Sequence, residues 1–213
     1  LVPWAAVADV LLVTTGDGIW LVEPSRGGVD VARHDDLGAD PVFEVRLDGA
    51  AAERLGSGGG RDHVAVLART LDTAGVAQLA VVVGCAQRAL DLAIRHATDR
   101  HQFGRPIGSF QAVAHRCVDI RTDLDACRFL TYRAATAIDS GGPAELEVAA
   151  ALAYGKEAMR RIFVHAHQVH GAIGFSTEHD LHLFTRRAKA FELGHGSTAR
   201  HLGRVADAMG LQA

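Results

Sequence analysis

Three short segments of the 213-residue chain carry side chains that could do chemistry. The first runs Asp99-Arg100-His101-Gln102-Phe103-Gly104-Arg105-Pro106-Ile107 and continues to Phe110-Gln111. Arginine offers a planar fork of donors to phosphate, and a nearby phenyl ring offers a face to a flat group. Arg, Gln and an aromatic leaving a helix end therefore suit a flat anionic ligand. The second segment is Gln168-Val169-His170-Gly171-Ala172-Ile173-Gly174-Phe175, whose small residues let a ligand approach the backbone. The third is Gly194-His195-Gly196-Ser197. Taken singly, each reads as an ordinary turn between helices before it reads as a binding site.

The elements that must position these segments fall into two parts. Residues 1–56 read as short strands. Val10–Val13, a Gly16-Asp17-Gly18 turn and Ile19–Val22 form a hairpin signal, Val29–Val31 follows, and Pro41–Leu47 alternates at period two. Four such strands cannot close a core alone, so they read as the end of a larger β-domain. Gly56-Ser57-Gly58-Gly59-Gly60 reads as a flexible linker. Residues 57–213 then turn helical. Apolar residues recur at helical spacing from Asp62 to Arg100 (Val66, Leu67, Leu71, Val76, Leu79, Ala80, Val83, Ala86, Leu90, Ile94), interrupted by small residues suited to close helix approach. Further helices are expected from Ser109 to about Ile138, Ala144 to about His170, Glu178 to Phe191, and from a Ser197 or Thr198 cap to Met209. Pro143 is expected in the first turn of the third helix. The fold class is α+β and mostly α: an antiparallel four-helix bundle preceded by a partial antiparallel β-domain.

Composition excludes several classes. Hydrophobic residues make up 48% and charged residues 22%, so the chain can bury a core. A net charge of -3 argues against a nucleic-acid or anionic-membrane binder. No apolar run comes near the ~20 residues of a membrane helix, and the start carries no leader pattern. Cys85, Cys117 and Cys127 fit no zinc spacing and read as small buried hydrophobes in a reducing cytoplasm. Seven of the twelve histidines fall after residue 160. His165 and His167 point ~200° apart on a helix, and no third ligand joins His167-His170 or His179-His182. They are expected to be solvated or hydrogen-bonded surface groups, with no metal bound. Arg186-Arg187 reads as a solvated face or a subunit contact.

In order along the chain, these motifs are more specific. Arg100-His101-Gln102-Phe103-Gly104 with Phe110-Gln111, then Gln168 to Phe175, then Asp180–Leu183 and Arg186–Lys189, resemble the acyl-CoA dehydrogenase family. The strands from Ala8 onward resemble the later strands of that family's middle β-domain. The N-terminal helical domain and the first part of the β-domain of a usual member have no counterpart here. The resemblance implies non-covalently bound FAD and desaturation of an acyl-CoA thioester, a carboxylate removing the α-proton while the β-hydrogen leaves as hydride to flavin. It implies a homo- or hetero-tetramer built on the helical bundle, whose loops complete a neighbour's FAD site, and an electron-transfer flavoprotein as acceptor. Carried over by position, Arg100 meets the FAD pyrophosphate and Phe103 the adenine side. Gln102, Phe110 and Gln111 line the same stretch, and Gln168 and Gly171 approach from the second loop.

The departures bear on catalysis. Where the family usually has its glutamate base, just before Gly196, this sequence has His195. The alternative base position on the first bundle helix is Ala74, and the adjoining position, often Arg, is Gly75. Ala172 replaces a cofactor-loop glycine and Ala199 a cofactor glutamine. Burial raises a carboxylate's pKa toward neutrality but lowers that of an imidazole, so a site without its own base is preferred over a histidine catalyst. The leading expectation is a subunit that lends FAD contacts while a partner supplies the glutamate, with steroid side-chain CoA esters a fair substrate class. The alternative is a non-catalytic structural or interaction remnant that binds no flavin.

Overall fold

The computed structural model describes residues 1–38, 40–56 and 62–211. Most of the glycine linker, 57–60, lies outside the described residues. The chain divides into two compact units, Leu1–Thr70 and Leu71–Ala213, so the division falls inside the first long helix, past the compositional break at 57.

The first unit holds two small antiparallel sheets. Strands β1 (Val2–Pro3), β5 (Val42–Leu47) and β4 (Val29–His34) form one in the order β1-β5-β4. Strands β2 (Leu11–Thr15), β3 (Gly18–Val22) and β6 (Ala52–Arg54) form the other in the order β2-β3-β6. The β2–β3 hairpin is the one the Gly16-Asp17-Gly18 signal predicts, with Thr15 opposite Gly18. The short edge strands β1 and β6 carry no periodic signal and were not expected. Ala5, Leu11 and Val22 are the buried apolar residues of the unit's core, with Phe43 and Val45 partly covered against them. So thin a core agrees with strands that cannot close one alone.

The second unit is built on helices. Helix α1 (Asp62–Asp99) enters it from the first, followed by a two-strand ribbon β7 (His101–Gln102) and β8 (Arg105–Pro106), then α2 (Gln111–Asp139), α3 (Glu145–His170), α4 (Leu181–Leu193) and α5 (Thr198–Ala208). Helix α3 is central and contacts α2, α4 and α5. It is rich in small residues, which let neighbours approach: a Cβ on Gly155 would stand 2.6 Å from Leu79 Cδ1 of α1. Val82, Leu90, Ile120, Leu124, Leu152 and Met159 are among the buried side chains of the core.

Several boundaries moved for physical reasons. Helix α2 begins at Gln111, not Ser109, because Ile107–Ser109 is a 3-10 turn. Pro143 lies outside α3, whose N-cap is Ala144. Gly171–Phe175 is a further 3-10 turn, and α4 starts at Leu181, not Glu178; the Leu181 N–H is taken by His179 Nδ1 at 3.2 Å. Ser197 caps α5 as expected, its Oγ accepting from the Arg200 N–H at 3.2 Å. On α1, Val66, Leu71, Ala80 and Ile94 are exposed, whereas Val82, Ala89, Ala93 and Ala97 are buried. A helix apolar on most of its circumference does not reveal its inner face by pattern alone. For the same reason His63–Asp99 is long and apolar enough by composition to cross a bilayer, against the sequence expectation. Its stripe through Leu79, Val82, Ala86, Ala89, Leu90 and Ala93 is buried within the second unit.

Candidate functional site

The first two segments meet at one end of the bundle, where α1 and α3 finish and α2 starts. Ala93, Ala97 and Val169 form a small buried cluster there, with Ile107, Val113 and Cys117 packed against it. Above it the His96 and His170 rings stack at 5.0 Å, and His170 meets His179 edge-on at 4.8 Å. His170 is 4% exposed and His201 3%, so these two are core groups and not the surface histidines the sequence suggested. Helix packing, not solvent, satisfies one ring nitrogen of His170: its Nδ1 bonds Ala166 O at 2.7 Å, while its buried Nε2 has no partner among the described residues. Desolvation lowers the pKa of His96, His167 and His170, which favours neutral rings.

The first loop is a tight hairpin. His101 pairs with Pro106 and Gln102 with Arg105, which leaves Phe103 and Gly104 as the turn. Both have positive φ, 53° and 79°, the pattern of a type I′ turn. Glycine adopts this readily; phenylalanine does so at a cost. Phe103 is nonetheless 92% exposed, its ring edge-on to that of Phe110 at 6.1 Å. The base of the hairpin is locked by Arg100 N–H to His96 O at 3.0 Å and Ile107 N–H to Arg100 O at 2.8 Å. The Arg100 side chain is exposed. Arg105 lies over the Phe110 ring, 4.0 Å from its centroid. Nothing in the spacing of Arg105 marks it for this place over Phe110. Phe110 is also the N-cap of α2, with no side-chain cap and no acidic residue in the first turn, so the helix end keeps its attraction for an anion. Gln102 and Gln111 are exposed on the same stretch. Two arginines, an uncapped helix end and a presented phenyl ring fit the phosphate and ring portions of a dinucleotide.

The second loop borders a mostly apolar cleft of about 400 Å³ between α3, the 171–175 turn and α4. Gln168 and Gly171 line its rim, with Met159, Phe163, Val164 and Phe175 on the walls. Gly171 ends α3 with φ 64°. His167 fixes the far wall, stacked on Phe175 at 4.5 Å and bonded to Thr185 Oγ1 at 2.8 Å.

The third loop stands elsewhere. It sits at the end of α4 beside Lys156, which is about 18 Å along α3 from Gln168 at 1.5 Å per residue. One chain therefore joins loops one and two but does not bring His195 to them. His195 is strained, with φ 54°; partial desolvation and then the Lys156 charge lower its imidazole pKa. At the alternative base position Ala74 is exposed, while a side chain at Gly75 would meet Leu152 Cδ1 at 3.1 Å. The nearby carboxylate Asp72 is held bidentately by Arg204 at 2.9 and 2.7 Å.

Residues 64–210 match the family model for the acyl-CoA dehydrogenase C-terminal domain; the chain belongs to the acyl-CoA dehydrogenase family. It is 32% identical over 216 residues to acyl-CoA dehydrogenase FadE27 of Mycobacterium tuberculosis, covering 96% of this chain and 57% of that protein. It is similar to a structure of the ChsE4–ChsE5 complex from Mycobacterium tuberculosis, with TM-score 0.85 and 31% identity over 99% of this chain and 58% of that one. It is also similar to a variant of the Tcur3481–Tcur3483 steroid ACAD, with TM-score 0.87 and 28% identity over 98% of this chain and 57% of that one. The chain spans under three fifths of each of these relatives.

Proposed function

We propose that this chain builds part of an FAD site in an oligomeric acyl-CoA dehydrogenase and contributes no carboxylate base of its own. The observation that carries the reading is Phe103: a ring held in a left-handed turn, 92% exposed, beside Arg100 and Arg105. Folding alone gives no reason to strain and expose a large apolar side chain. Arg100 neutralises a pyrophosphate, Phe103 stacks against adenine, and Gln102, Phe110 and Gln111 complete that wall. Gln168 and Gly171 approach from the second loop. FAD held there supplies a hydride acceptor for the β-hydrogen of an acyl-CoA thioester. His195, kept neutral, is a weaker proton acceptor than a desolvated carboxylate, so a partner subunit supplies the glutamate. Similarity to the ChsE4–ChsE5 complex and to a steroid ACAD supports a hetero-oligomer with a steroid substrate; in our reading it is a tetramer through the bundle that acts on steroid side-chain CoA esters. We place it in the cytoplasm with an electron-transfer flavoprotein as acceptor.

Ala74, Ala172, Ala199 and His195 at functional positions of the family favour a second reading, a remnant that binds no flavin. Flavin absorbance of the purified protein separates the two. Yellow protein after co-expression with a partner subunit supports the shared site. Colourless protein in every combination refutes it. Desaturation by the chain alone, abolished by His195→Ala, would show that the base is histidine.

A further inference from the structure

The best-buried charged group of the described residues is not in the first two loops. Lys156 is 1% exposed. Its Nζ donates to Phe191 O at 3.1 Å, to Glu192 O at 2.9 Å and to Gly194 O, and stands 5.2 Å from the Phe191 ring. An ammonium has three protons to give, and all three meet carbonyls. These belong to the last turn of α4 and the residue beyond it, where a helix leaves acceptors unpaired and negative dipole charge collects. The Glu192 carboxylate binds Lys189 instead, at 2.9 Å. Desolvating an ammonium is costly, and here fixed carbonyls offset that cost in place of a counter-ion.

The backbone so held continues into the third loop. His195 and Gly196 have φ 54° and 83°. Gly194 O ends on Lys156, and His195 O accepts from His201 Nε2 at 2.7 Å. The peptides on both sides of His195 are therefore tied to buried side chains, and its ring rests 6.1 Å from Phe191.

We propose that Lys156 is a positioning residue: its ammonium gathers the carbonyls at the end of α4 and, with His201, sets the left-handed turn that presents His195. This rests on the reading that His195 stands where the family has its glutamate base. Charged groups around the turn are Lys156 and Glu157 on α3, Glu192 on α4 and Arg200 on α5, with His201 the other titratable ring. Of these, Lys156 acts on His195 most directly, and it does so in the same sense as desolvation, against protonation. The loop thus offers an uncharged ring at the family's carboxylate position.

The test is a proton NMR titration of His195 with amide exchange over residues 194–197, in the full chain without flavin. Lys156→Met is expected to raise the His195 midpoint and speed exchange tenfold or more, and Lys156→Arg to restore the lower midpoint. An unchanged midpoint and unchanged exchange in Lys156→Met overturns the proposal. Should that variant not fold, the unaltered protein suffices. It has only two lysines, and the Lys156 ammonium must exchange slowly and show contacts to the 194–196 backbone; two fast-exchanging ammonium groups overturn the proposal. Neither readout needs flavin, so a failure here is distinct from a failure of the FAD reading.

Discussion

Replacing Phe103 by glycine separates folding from cofactor binding. The ring is 92% exposed, so it buries about a twelfth of the roughly 200 Å² an aromatic side chain offers. That is about 16 Å², or about 0.4 kcal/mol at 25 cal/mol per Å². Against this, φ of 53° costs a non-glycine residue about 1 kcal/mol, which glycine recovers. The net effect is a gain of about 0.5 kcal/mol, a rise in Tm of about 1–2 °C for a chain of this size. Flavin affinity moves the other way. Stacking of a base on an aromatic ring contributes about 1–3 kcal/mol, so FAD should bind roughly five- to 150-fold more weakly. Thermal melts and a flavin-fluorescence titration of the assembled protein measure both. A clear fall in Tm with unchanged FAD affinity would falsify the reasoning, since it would make Phe103 a structural residue.

Two further outcomes follow from the packing. Gly155→Ala places a Cβ 2.6 Å from Leu79 Cδ1; it should cost about 1–3 kcal/mol by overpacking, read from the midpoint of urea unfolding, whereas alanine at Gly84, which has open space, should not. His96, His167, His170 and His201 all have folded-state pKa values lowered by desolvation. The unfolded chain then binds more protons as pH drops below about 6.5, so stability is full above that value and lost as pH falls through the folded values. Calorimetry from pH 7.5 to 5 should show Tm falling, and His170→Asn should flatten the slope; an unchanged slope would remove His170 from the account.

Local signals were legible in the residues alone. The Gly16-Asp17-Gly18 hairpin, the Ser197 cap and five helices need only turn chemistry and a 3.6-residue period, because each is settled by neighbours a few positions away. That the chain turns back at Phe103-Gly104 was readable for the same reason. What the pattern could not supply was orientation. Helix α1 is apolar on too much of its surface to reveal which side faces α3, and the 3-10 turns before α2 and α4 carry no period. Nor could spacing show that His170 stacks on His96 and meets His179 edge-on, that Arg105 covers Phe110, or that loops one and two share an end while His195 stands apart. Lys156 is the sharpest case. A lysine on a helix reads as a solvated charge, and only the approach of α4's last carbonyls, from 35 to 38 residues away in sequence, makes its burial possible. Chain-distant packing decides which polar groups find partners, and that information resides in no single segment.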